Sequence, residues 1–408
     1  MACWMPDNGC AVSAMTIKCL LDSSDKQSFR GLRGHNICNH QVRKSGGHMQ
    51  AGEMTMTDRL NFAILMILLM SCSRWLVAAE VATSPGDAQA FPQETHLKNI
   101  RQLTFGGQNA EAYFSHDGTE LIFQSTRGEL ECDAIFRMNN DGSNVRQLSS
   151  GKGVTTCAFI APDNRSIIYA STHLGHERCP PRPDHSQGYV WPLYEDYDIF
   201  SAGPEGEDPL RLTQTAGYDA EAVYSPRGDR IVFTSLRGGD LDLYLMKPDG
   251  SGVEQLTFAA GYDGGAFFSL DGEWIVWRAS RPQGQELADY RALLDKGLVR
   301  PGRLELYIMN LKERKPLRIT ANGAANFGPY WHPDGRHVIF SSNMHDPQGR
   351  NFDLYLIDIE TREVERVTYY EGFDGFPMFS HDGKQLVFAS NRFGKETGET
   401  NVFIADWQ

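Results

Sequence analysis

No Gly-x-Ser-x-Gly segment occurs anywhere in the chain. That absence removes the elbow on which an α/β-hydrolase mounts its serine nucleophile. Long apolar runs are scarce too. The one candidate, residues 60–70, is too short to remain in a bilayer as a spanning helix. Cysteine is sparse beyond it, with only Cys132, Cys157 and Cys179 after residue 79. In an oxidising compartment one pair can bridge and one thiol is left over. Cations are in the minority, 39 against 52 carboxylates. Residues 1–79 hold 8 of the basic and 5 of the acidic side chains, which leaves 31 against 47 in the remainder. A surface so acidic repels phosphate backbones, so nucleic acid is excluded as a partner and anionic lipid is disfavoured.

The front of the chain has its own grammar. Residues 56–79 run from a polar head with Arg59 through the apolar stretch to Val77-Ala78-Ala79, the pattern of a secretory signal peptide. Residues 1–55 precede it, either as an upstream extension or because synthesis starts at Met54 or Met56. Leu69-Met70-Ser71-Cys72 also resembles a lipobox, so a lipid anchor at Cys72 is the alternative to soluble export. Residues 80–96, rich in Ala, Pro, Ser and Thr, read as a flexible leader.

From residue 97 to 408 one pattern recurs six times. An apolar strand meets a turn of the form Ser-x-Asp-Gly, and a second strand, a loop and an Asp-aliphatic-aromatic strand follow. The turns begin at Ser115, Ala161, Ser225, Ser269, His332 and Ser380, spaced by 46, 64, 44, 63 and 48 residues. A repeat of roughly 40–50 residues with four short strands predicts an all-β, six-bladed β-propeller. The second strands, such as Leu121-Ile122-Phe123 and Leu386-Val387-Phe388, are unbroken apolar runs suited to burial on both faces. Outer strands such as Arg146-Gln147-Leu148-Ser149, Glu254-Gln255-Leu256-Thr257 and Arg366-Val367-Thr368 follow only five blades. The sixth, Arg101-Gln102-Leu103-Thr104, precedes the first blade. The N-terminal strand near 99–104 therefore closes the last blade and removes two free sheet edges.

The segments at 212–246 and 367–404 closely match the repeat pattern Leu-Thr, Phe-Ser-Pro-Asp-Gly, Ile-x-Phe-x-Ser-x-Arg, Asp-Ile-Tyr-x-Met. Over 97–408 the chain resembles the TolB-like propeller family, which implies that fold and a place in the cell envelope. TolB itself carries an additional N-terminal α/β domain, for which about 17 residues between signal and first strand leave no room. Propellers of the oligogalacturonate-lyase type also resemble this repeat and place histidines and a divalent metal in the channel.

Topology puts the Asp-Gly turns on the lower face and the long loops on the upper one. Arg127, Arg237 and Arg392 follow second strands, and Asp133, Asp198, Asp242 and Asp353 open third strands, so they are expected to pair across that hairpin. The residues leading into the first strands form a candidate ring at the channel mouth: Asn109, Thr155, Asp219, Asp263, Asn326 and Asp374. Two positions on come Glu111, Cys157, Glu221, Gly265, Gly328 and Phe376. Carboxylates and amides with few cations nearby could bind Ca2+ or a cationic group of a partner; the alternative is a solvated polar channel.

The repeats that begin at Ala161 and Ser269 gain their extra length in upper loops, where function concentrates. The first loop, Thr172–Tyr197, carries His173, His176, Cys179 and His185, a candidate transition-metal set without a closed zinc spacing. A disulfide between Cys132 and Cys179 is the competing use of that cysteine. Tyr189, Trp191, Tyr194 and Tyr197 either stack on a ligand or pack the loop onto the disc. The second loop, Arg281–Arg303, has Leu287, Tyr290, Leu293, Leu294 and Leu298 at helical spacing, with Gly297 and Pro301 ending the helix. The expected protein is an exported, periplasmic or extracellular monomer that binds an envelope protein or polysaccharide without catalysis of its own. The rival is a metal-dependent polysaccharide lyase or hydrolase.

Overall fold

The computed structural model describes residues 90–186 and 188–408. The extension, signal and lipobox readings lie outside them. Among the described residues no helix is long and apolar enough to cross a membrane.

Six four-stranded antiparallel sheets form the blades of a six-bladed β-propeller. Blade 1 runs from the inner strand Gln108–Phe114 through Glu120–Thr126 and Ala134–Asn139 to Arg146–Gln147. Blades 2 to 5 repeat this order, with inner strands Thr155–Ile160, Asp219–Tyr224, Asp263–Phe268 and Asn326–Trp331. Blade 6 uses Asp374–Phe379, Gln385–Ser390 and Asn401–Trp407, and takes its outer strand, Leu97–Gln102, from the other end of the domain. Leu97 faces Trp407 and Gln102 faces Phe403 across that closure. Leu97 and Ile100 are fully buried there. Within the described part of the leader, Glu94 is 1% exposed and its carboxylate meets the guanidinium of Arg392 at 3.0 Å.

Local chemistry explains the repeat letter by letter. In the turns, the serine hydroxyl donates to the aspartate, as from Ser115 to Asp117 at 2.7 Å and from Ser380 to Asp382 at 2.7 Å. The fourth turn residue is left-handed in every blade, so glycine occupies it five times and Asn164 once. The Thr or Ser that follows each outer strand works through its hydroxyl. Thr213, Thr257, Thr320, Thr368 and Thr104 each accept a third-strand N–H at 2.8–2.9 Å, and Ser149 does so in blade 1. The aspartate that opens the third strand then accepts from that hydroxyl, as Asp242 does from Thr257 at 2.9 Å. This corrects the expected arginine–aspartate pairing: Asp198 and Asp353 take Arg211 and Arg366 from the outer strand instead. The second strands sit at the centre of their sheets, and Leu121, Val232, Phe340 and Phe388 have no exposed surface.

Candidate functional site

The channel is built from the inner strands, and each contains the same irregularity. Pairing to the second strand slips across two residues near the strand's middle, for example between Ala110 and Tyr113. The residue in the slip adopts the left-handed conformation in all six blades: Glu111, Cys157, Glu221, Gly265, Gly328 and Phe376, with φ between 50° and 61°. A left-handed bulge re-aims its side chain, and here all six residues line the axial cavity.

The ring one step above is not available to a ligand. Asn109, Thr155, Asp219, Asp263, Asn326 and Asp374 are at most 1% exposed. The arginines after the second strands come to them. Arg237 bonds Asp219 at 2.9 Å, Arg281 bonds Asp263 at 2.7 Å and Arg392 bonds Asp374 at 2.7 Å. Asn109 accepts from Ser125 and Arg127, and Asn326 accepts from Ser342. Each arginine also lies on an aromatic face, as Arg281 does on Tyr307 at 4.9 Å. Burial pushes the Asp263 carboxyl up to about 6 even so. These residues therefore do not fit Ca2+, which needs several uncommitted oxygens. The expectation of few nearby cations is corrected by the side chains that the second strands deliver.

At the bulge level one ion pair lines the channel. Arg278, from the second strand of blade 4, reaches Glu221 at 2.5 Å. Glu221 also accepts from Thr234 at 2.6 Å and from the Gly265 N–H at 2.8 Å. Gly265 is required there, because a Cβ would stand 2.0 Å from the Arg278 guanidinium. Glu111 lies opposite, 5% exposed, and burial pushes its carboxyl up to about 7. The buried Cys157 thiol is pushed well up for the same reason. The space left is about 20 Å3, room for about one water. Beneath, Tyr113, Phe159, Phe267 and Tyr330 interlock with ring centroids 5.3–6.5 Å apart and fill the axis.

Above, the two long loops meet. Trp191–Pro192 pairs as a short antiparallel strand with Leu298–Val299, joining blade 2 to blade 4 over the channel. Trp191 lies on the Arg278 guanidinium at 5.3 Å and edge-on to Phe327 at 5.6 Å. The blade-4 loop forms helix α1, Gln285–Leu294, with Tyr290 buried and its hydroxyl donating to Asp240 at 2.5 Å. The blade-2 loop is tethered to blade 1 by a Cys132–Cys179 disulfide, with Cα atoms 5.5 Å apart.

The aromatic set divides. Trp191 and Tyr197 are buried and pack the loop onto the disc, whereas Tyr189 and Tyr194 keep exposed surface. The histidines do not converge, which corrects the candidate metal set. His173 bonds Ser171 and packs on Phe200, His176 meets Asp196 at 3.1 Å, and His185 meets Tyr189. Cys179 is consumed by its disulfide. Two clefts of about 320 Å3 flank the strap. One is lined by Gln108, Arg182, His185 and Tyr194, the other by Arg303, Asn343, Phe352 and Phe373. Tyr189 borders both. The sequence reading missed Arg278 and the strand pairing of the strap.

No protein-family model matches the chain. Among solved structures, a TolB candidate from Agrobacterium tumefaciens is similar with TM-score 0.50 and 18% identity, over 74% of this chain and 91% of that one. TolB from Acinetobacter baumannii is similar with TM-score 0.50 and 19% identity, over 74% of this chain. This chain spans 64% of the Acinetobacter protein. An oligogalacturonate lyase in complex with manganese reaches TM-score 0.46 at 14% identity, over 78% of this chain and 96% of that one. What is shared at these identities is the propeller fold.

Proposed function

We propose that this chain is an exported, non-catalytic scaffold that holds an envelope protein or polymer in the clefts beside the upper strap. One observation carries the reading. The two long insertions pair over the channel mouth and leave Tyr189 between two clefts of about 320 Å3. Clefts of that size with aromatic and guanidinium walls suit a segment of peptide or glycan. The channel itself offers little: its carboxylates are paired or buried, and its axis is filled. Export agrees with the Cys132–Cys179 bridge, since disulfides persist in oxidising compartments.

The test is site-specific photo-crosslinking in cells. A crosslinker at Tyr189 is expected to trap one envelope component, and a crosslinker at the lower-face Lys384 is not. Arg303→Ala, in the wall of one cleft, is expected to weaken the Tyr189 product several-fold. Equal labelling from both faces would sink the scaffold reading. Release of unsaturated products from acidic polysaccharides, read by the ultraviolet absorbance of the new double bond, would replace it with the metal-dependent lyase.

A further inference from the structure

One turn on the lower face departs from its siblings at two positions, and both departures are histidines. At the first turn position the other five blades have Ser115, Ala161, Ser225, Ser269 and Ser380; blade 5 has His332. Five residues further on they have Glu120, Ser166, Arg230, Trp274 and Gln385; blade 5 has His337. The two imidazoles stand on either side of the turn aspartate, Asp334. Its Oδ2 lies 3.1 Å from His332 Nδ1 and 2.6 Å from His337 Nδ1. One donor atom from each of the three residues falls within 4.8 Å of the others, the one such group found among the described residues.

The surroundings orient the three donors. The other carboxylate oxygen, Oδ1, accepts the N–H groups of Arg336 at 2.8 Å and His337 at 3.0 Å, so Oδ2 is turned toward the imidazoles. His332 is wedged edge-on against Phe379 at 4.7 Å. Its Nδ1 accepts the Asp334 N–H at 3.2 Å, which leaves the ring proton on Nε2 and the lone pair on the aspartate side. His337 Nε2 points toward Asp358 Oδ2 at 3.9 Å, and Arg336 Nε holds that carboxylate at 2.7 Å. The three side chains are 20%, 37% and 31% exposed, so an ion can enter from solvent.

We propose that His332, Asp334 and His337 bind one divalent transition-metal ion of the zinc class on the lower face of blade 5. Two imidazole nitrogens and one carboxylate oxygen suit zinc, cobalt or nickel better than calcium or magnesium. Three protein donors leave a fourth position open to water or to a side chain of a docked protein. Ligands about 2.1 Å from zinc sit roughly 3.0–3.5 Å apart, so the 3.1 Å pair is already spaced for the ion. The 2.6 Å pair has to open, and the proton that His337 Nδ1 donates there gives way to the metal, leaving the neutral ring protonated on Nε2.

The experiment compares the full chain with His332→Ser/His337→Gln, which places at these two positions the residue types that blade 6 carries there, Ser380 and Gln385. After chelation, each is dialysed against Zn2+ and, separately, Co2+. The wild type is expected to hold one equivalent of Zn2+ more than the variant. Its Co2+ form should show a visible d–d band that the variant lacks. His337→Gln alone should weaken that extra equivalent at least tenfold, a second reading should the double variant fail to fold. Affinity should be lower at pH 5 than at pH 8, because protonated imidazole cannot ligate. Equal zinc content and identical cobalt spectra in wild type and variants would overturn the site.

Discussion

Replacing Glu111 by Gln tests the channel's electrostatics with almost no change of shape. Both residues tolerate the bulge equally, so the left-handed backbone at φ 51° is common to wild type and variant. The ionisable proton is what differs. Arg278 is committed to Glu221, and Glu111 is left with burial as the dominant influence, which raises its carboxyl from 4.5 to about 7. Between those values the folded chain keeps a proton that the unfolded chain has released, so stability falls as pH rises. At about 1.4 kcal/mol per pH unit the loss comes to about 3 kcal/mol. It is absent below pH 4.5, accumulates up to about pH 7 and is constant above. Glu111→Gln escapes it. Urea unfolding at pH 5, 6, 7 and 8 should find the variant close to wild type at pH 5 and more stable by about 3 kcal/mol at pH 8. A gap that stays constant with pH, or narrows as pH rises, would refute the assignment of a carboxyl raised by burial.

Two further substitutions probe the closure. Arg392→Met leaves the carboxylates of Glu94 and Asp374 buried without their shared cation. It should cost about 3–5 kcal/mol and lower the thermal midpoint by roughly 6–10 °C; a shift under about 1 °C would mean that the triad is worth little. Ile100→Ala removes a fully buried side chain from the closing strand and should cost about 2–5 kcal/mol. Amide exchange should speed up first in residues 97–102 and 401–407, and uniform acceleration around the ring would contradict a local seam.

Much of the architecture was legible because a propeller writes its geometry six times. The Asp-Gly turns, the apolar second strands and the displaced outer strand at 101–104 each have a composition that only one local structure suits. The bulges left less trace. Only Gly265 and Gly328 are residue types that favour positive φ, and Glu111, Cys157, Glu221 and Phe376 disguise the other four. Arg278 could have been found by internal comparison. Its counterparts in the other second strands are Gln124, Ala170, Thr234, Ser341 and Ala389, and the facing Gly265 supplies the room. The ring's arginines were visible, but their partners were not, because first and third strands both offer an aspartate near the same end of the second strand. Contact with the inner strand decides for Asp219, Asp263 and Asp374. The strap was illegible for a different reason. Trp191-Pro192 and Leu298-Val299 lie over 100 residues apart and carry no strand periodicity, so only their meeting makes them strands.

That meeting determines where a ligand can go. A propeller can present its axis or its rim. Here the axis is obstructed three times: Trp191 stacks on Arg278 at the mouth, Arg278 neutralises Glu221 at the bulge level, and four aromatic rings interlock below. Opening it would expose a buried guanidinium and break the strap together. The outer ends of the same two loops carry no such load. Tyr189 sits two residues before the strap, on the side of the blade-2 loop that the disulfide tethers. It is positioned by a fixed strand yet still reaches solvent, the combination that a recognition side chain needs. The burial of Trp191 and the exposure of Tyr189 are thus two consequences of one strand pairing, and they move the proposed binding from the channel to the clefts beside it.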